Sequence, residues 1–64
     1  MSNQSREELL EKMFSIIQKN PGIRPSELNR KLKREHTWNY RKTLIERDLI
    51  RKEKEVAAVR YYPV

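Results

Sequence analysis

The chain has no cysteine, so neither a disulfide nor a thiolate metal site is open to it. A single glycine, Gly22, excludes the glycine-rich loops that cradle nucleotide phosphates. His36 is the only histidine, and no nucleophile or second metal ligand stands at useful spacing from it. No apolar run approaches the ~18 residues of a membrane span, and the opening MSNQSREE lacks the apolar stretch of a signal peptide. These absences argue against an enzyme, a cofactor or metal, a small-molecule substrate and a membrane partner. The expectation is a cytoplasmic chain of 64 residues folding as one domain over positions 1–64. A domain of that size buries only about 60% of its unfolded surface and has a thin stability margin. The density of Lys, Arg and Glu, with little Gly and no Cys, leans toward a thermophile composition.

Acid is scarce where base is dense. Over positions 1–20, Arg6, Lys12 and Lys19 balance Glu7, Glu8 and Glu11. From Arg24 to Lys54 eleven basic residues face five acidic ones, which accounts for the whole net charge of +6. Glu55 and Arg60 then cancel. A merely solvated surface mixes the signs evenly, as the first twenty residues do. An excess confined to one part of a small domain points to a polyanionic partner. The segment KREHTWNYRKT, residues 33–43, interleaves Lys33, Arg34, Arg41 and Lys42 with Trp38 and Tyr40.

The element pattern is legible in outline. Ser5 and Glu8 form a capping box, and Leu9, Leu10, Met13, Phe14, Ile16 and Ile17 follow as a broad apolar stripe. Asn20-Pro21-Gly22 ends that stripe, predicting a first helix over 6–19. Its Met and Phe read as core filler. Ile23, isolated between turn signals, reads as a single-residue strand. Pro25 suits a first helical position, predicting a second helix over 25–33 anchored by Leu28 and Leu32. A third helix is expected from about Thr37, as N-cap, to Arg47, with Leu44 and Ile45 in the core. Its first half has no aliphatic stripe, so Thr37, the stem of Arg41 and part of Trp38 or Tyr40 must fill the inward side. Leu49–Lys54 and Val59–Val64 then fit two half-buried strands joined by the four residues Glu55-Val56-Ala57-Ala58. The class is α+β, mostly α.

Three helices followed by a β-hairpin, together with NPGIRPSELNRKL, LIERDLIRKE and RYYPV, resemble the winged helix-turn-helix DNA-binding proteins. The likeness is to small archaeal and bacterial transcription regulators of the MarR type and runs from about Glu8 to Val64. Some positions depart from that family's pattern. Arg24 stands where a Thr or Ser cap is usual, and the segment after Leu32 is shorter and lacks its customary glycine. Asp48 replaces a glycine, and Thr37 and Arg41 replace apolar residues at the start of the third helix.

The resemblance implies that the third helix enters the major groove of double-stranded DNA, with base contacts from Trp38, Asn39, Lys42 and Thr43. Asn39 offers a bidentate pair to adenine. Lys42, or Arg41 if the helix register shifts, reaches guanine or phosphate. Phosphate contacts are expected from Arg30, Lys31, Lys33, Arg34, His36, Tyr40 and Arg41, and from Arg51, Lys52, Lys54 and Arg60 along one side of the hairpin wing.

Each residue also has a plainer reading. Trp38 is more often a core or semi-buried packing residue, one of Tyr61 and Tyr62 is core, and His36 is a loop residue. The expected function is a DNA-binding transcription regulator associated with the nucleoid. Its alternatives are a sequence-independent chromatin or architectural DNA-binding protein and a winged-helix protein-interaction module. An RNA-binding or left-handed-DNA-binding winged helix comes after these. In the absence of an extra terminal helix, the expected oligomeric state is a weak homodimer or a monomer that pairs on DNA.

Overall fold

The computed structural model describes residues 5–64, and the statements below concern those residues. The first helix, α1 (Arg6–Lys19), begins as its sequence dictates. The Ser5 hydroxyl accepts from the Glu8 backbone N–H at 3.2 Å, and the Glu8 carboxylate accepts from the Ser5 N–H at 2.9 Å. Leu9, Leu10, Met13 and Ile17 are buried along one face. The helix ends at Asn20, whose side-chain amide donates to the Ile16 carbonyl at 2.8 Å. Gly22 then takes φ +85°, a left-handed conformation that its missing Cβ permits. This turn delivers Ile23 into an antiparallel bridge with Tyr61. The Tyr61 N–H donates to the Ile23 carbonyl at 2.9 Å, and the Gly22 N–H donates to the Tyr61 carbonyl at 2.8 Å. The isolated strand residue expected from the sequence is therefore present.

Helix α2 (Pro25–Leu32) starts at Pro25, with the Arg24 N–H donating to the Glu27 carboxylate at 3.2 Å. It buries Leu28 and Leu32. The expected last helical residue, Lys33, lies just outside: it is the C-cap, at φ 58° and ψ 41°. The Arg34 N–H reaches back to the Asn29 carbonyl at 3.0 Å, so the left-handed residue closes the helix as glycine usually does.

Helix α3 spans Trp38–Glu46, with Thr37 as its N-cap as expected, and ends one residue early, the expected last residue Arg47 being its C-cap. Asp48 takes φ 60°, and the Leu49 N–H bonds the Leu44 carbonyl at 3.0 Å. Aspartate thus fills the left-handed position that its tolerance of this region allows. Strands β1 (Ile50–Glu55) and β2 (Ala58–Pro63) pair antiparallel, from Ile50↔Pro63 to Glu55↔Ala58. The first begins one residue later than expected and the second one residue earlier. The loop is consequently the two-residue turn Val56-Ala57 rather than four residues. Neither turn residue has positive φ, which excludes the I′ and II′ turns that usually close two-residue hairpins. Pro63 lies at the open end, where no further strand needs its missing N–H.

The layout is three helices followed by a two-stranded antiparallel sheet, an α+β and mostly helical chain. Leu9, Leu10, Met13, Ile17, Ile23, Leu28, Leu32, Leu44, Ile50 and Tyr61 form one core drawn from every element. Phe14, Ile16, Tyr40, Ile45, Leu49 and Val59 pack half-buried around it. No helix is long and apolar enough to cross a membrane.

Candidate nucleic-acid interface

The first half of α3 is held without an apolar stripe, by a polar network. Thr37 is fully buried, at 0% exposure. Its hydroxyl donates to the Asn29 side-chain oxygen on α2 and accepts from Arg41 Nε at 3.2 Å. Asn29 also donates its amide to the Glu35 carbonyl at 2.9 Å, tying α2 to the connecting loop. Arg41 donates a second bond to the Tyr61 hydroxyl on β2 at 3.0 Å. Its guanidinium lies 5.4 Å from the Trp38 ring centre and 5.7 Å from that of Tyr61. One buried hydroxyl and one half-buried cation thus fix α3 against α2, the loop and the hairpin, and no buried side-chain polar atom among the described residues lacks a partner.

That network explains which expected contacts point elsewhere. Arg41 is a packing and positioning residue, engaged within the fold rather than presented to a phosphate. Tyr40 is half-buried against the core, with the Arg6 guanidinium of α1 over its ring at 5.1 Å. Thr43 donates its hydroxyl to the Asn39 carbonyl at 2.9 Å and accepts from Arg6 at 2.6 Å. It therefore faces α1. Trp38 is 46% exposed, against its reading as core. Instead of entering the interior, its ring takes Arg41 on its helix and Lys52 of β1, whose ammonium lies 5.1 Å from the ring centre.

The outward face of α3 is left with Trp38, Asn39, Lys42 and Glu46. Asn39 and Lys42 lie three residues apart, about one turn, and project together. No acidic side chain stands in the first turn of α3, and no side chain caps it, because the Thr37 hydroxyl is bonded elsewhere. Beside this end, Ser26, Asn29, Arg30, Lys33, Arg34 and Glu35 line an open depression of about 530 Å³. Its three cations against one carboxylate make it electropositive. Lys31 is exposed but does not line it, since about 100° per residue turns Lys31 to the other side of Leu28. His36 is exposed in the loop that follows the depression.

The hairpin sorts its charges by face, contrary to the expectation that Arg51, Lys52, Lys54 and Arg60 share a side. Cross-strand partners point the same way, so Lys52 and Lys54 lie with Tyr61 and Val59 on the side toward α3. Arg51 and Arg60 lie on the opposite side with Glu53 and Glu55. There they form ion pairs, Arg51–Glu53 and Arg60–Glu55, each at 2.9 Å. Arg60 also donates to the Gly22 carbonyl at 2.9 Å, and Arg51 stacks over Tyr62.

Acids elsewhere are similarly engaged. Arg47 pairs bidentately with Glu7 at 3.0 and 2.8 Å. That hydrogen bond and charge hold the Glu7 carboxyl below its ordinary pKa and push Arg47 up. The Ser5 amide and hydroxyl hold Glu8 below its ordinary value. Around α3, among the described residues, Arg30, Lys33, Arg34, Lys42, Lys52 and Lys54 are cations with neither an ion pair nor a side-chain hydrogen bond, whereas Arg6 and Arg41, also without an ion pair, are hydrogen-bonded within the fold.

Sequence reasoning missed Asn29, Ser26 and Arg6 as contributors. Asn29 in a helix interior, where its amide competes with the backbone, was the available signal. Arg6 and Thr43 meet across 37 positions, with no local signal at all. The chain matches no protein-family model, no curated protein and no solved structure.

Proposed function

We propose that the chain is a winged helix-turn-helix protein that acts on transcription by binding double-stranded DNA. Helix α3 enters the major groove by its N-terminal half, presenting Asn39 and Lys42 to base edges and Trp38 to apolar base surface or sugar. Arg30, Lys33 and Arg34, with the uncapped first turn of α3, hold phosphates on one side. Lys52 and Lys54 follow the backbone on the other, as the inner face of the wing.

One observation carries this reading. Six cations that lack an ion pair, Arg30, Lys33, Arg34, Lys42, Lys52 and Lys54, border the helix whose inward side is fixed by a polar network. The engaged acids lie on α1 and the outer hairpin face.

The test is fluorescence anisotropy of a labelled random-sequence duplex at low and moderate salt, with single alanine variants. Lys33→Ala, Arg34→Ala and Lys52→Ala are expected to weaken binding severalfold and flatten its salt dependence. Lys12→Ala, on the exposed side of α1, leaves it unchanged. No binding at about 50 mM salt, or equal losses from Lys12→Ala and Lys33→Ala, removes the reading in favour of a protein-interaction module.

A further inference from the structure

Resting on that reading, we infer that a single chain discriminates poorly between DNA sequences, so that its partner is bulk duplex DNA rather than a lone operator. The residues able to read bases from α3 are few. Thr43 has its hydroxyl engaged by Arg6 and the Asn39 carbonyl, and Arg41 is held by Thr37 and Tyr61. Trp38 has an indole N–H but no acceptor, and its faces carry Arg41 and Lys52. Glu46, on the same outward face near the end of the helix, repels phosphates and confines groove contact to the N-terminal half. Asn39 and Lys42 remain.

A bidentate asparagine–adenine pair discriminates by about 5- to 150-fold, and a lysine, without a planar fork, by less. At the middle of these ranges, about 30-fold for the asparagine and about 10-fold for the lysine, their product is about 300-fold, below the range of about 10³- to 10⁷-fold by which specific binders prefer their sites. The two hairpin lysines add little selectivity, because the minor groove separates little beyond A·T from G·C.

Affinity is built differently. Six cations border the face without an ion pair among the described residues. If the five other than Lys42 each meet a phosphate, log K falls with log salt at a slope of about −4.5. A contact set with several phosphate ligands and only two base readers gives strong, salt-sensitive and sequence-tolerant binding.

The deciding experiment is selection of bound duplexes from a random DNA pool by the full chain, with titration of selected and unselected duplexes at two salt concentrations. The expected result is a preference limited to about two or three base pairs. Selected and random duplexes should differ by less than about 10³-fold in affinity, and Asn39→Ala should narrow that gap. A motif of six or more fixed base pairs, or a ratio above about 10³, overturns the inference while leaving DNA binding intact. No binding at low salt removes instead the functional reading on which it rests.

Discussion

Thr37→Val is a severe test of how α3 is held. Valine keeps the shape of threonine and adds no strain, but it can neither donate to Asn29 nor accept from Arg41. The hydrogen bond to neutral Asn29 contributes about 1 kcal/mol net, the one from the charged but half-exposed Arg41, which water can replace, about 1–1.5 kcal/mol, and the abandoned Asn29 oxygen adds up to about 1 kcal/mol of unrecovered desolvation. The loss is therefore about 2–3.5 kcal/mol. A chain of this length has only about 3–10 kcal/mol in all, so the variant stands near the limit of folding. At about 4–8 °C per kcal/mol, Tm falls by about 10–25 °C. Thermal and urea unfolding followed by circular dichroism measure this directly. Thr37→Ser is the matched control: it keeps both bonds, loses one methyl, and is expected to cost about 1 kcal/mol. A hydrophobic account of the same site ranks the variants in the opposite order, with valine as stable as threonine. Finding valine above serine would refute the network as the element that seats α3.

Lys33→Gly is expected to raise stability by about 0.5–1 kcal/mol, since φ 58° suits glycine, while it weakens DNA binding and reduces the salt slope by about one. Paired unfolding and anisotropy titrations check both signs. Gly22→Ala is expected to cost about 1–2 kcal/mol, because its φ of +85° is strained for alanine and the new Cβ comes within 3.4 Å of the Tyr62 hydroxyl; urea unfolding measures it. Glu7 and Glu8 titrate below their ordinary value of 4.5 in the folded chain, so their stabilising effect is present above that value. It is lost as pH falls through the lower folded values. The urea midpoint should therefore drop on acidification below about pH 4.5, and the drop should be shallower in Glu7→Gln.

The sequence announced α1, the Ile23 bridge and the α2 start because each rests on local chemistry: a capping box, a proline before a glycine, a proline at a helix entrance. The start of α3 was less legible for a physical reason. Its inward positions hold Thr37 and Arg41, whose partners Asn29 and Tyr61 come from other elements, so no apolar period marks the helix. Trp38 misled in the same way. An indole is expected to bury itself, but here the inward place beside it is filled by Arg41, and the ring remains outside as a shelf for cations. In the hairpin, alternation was readable but its phase was not. Arg51 and Lys52 are neighbours in one strand and so point to opposite faces in any register. The register is the expected one, with Lys54 opposite Val59, and the shorter loop adds only the Glu55↔Ala58 pair; buried Ile50 and Tyr61 fix which face turns inward.

Two departures from what the fold alone requires meet on one surface. Lys33 holds a left-handed backbone where glycine would be more stable, and it does so beside Arg30 and Arg34, whose like charges add repulsion. Neither feature improves packing, since Lys33, Arg30 and Arg34 are all exposed. Elsewhere left-handed backbone does not coincide with a cluster of like charge. Arg47, Arg51 and Arg60 each have a carboxylate at hydrogen-bond distance, and Asp48 takes its left-handed turn without joining a patch of like charge. The coincidence of the two lies at the C-cap of α2, beside the start of α3, and packing does not require it. On the proposed DNA-binding reading, the left-handed lysine keeps positive charge beside the N-terminal end of α3, where a phosphate would meet it.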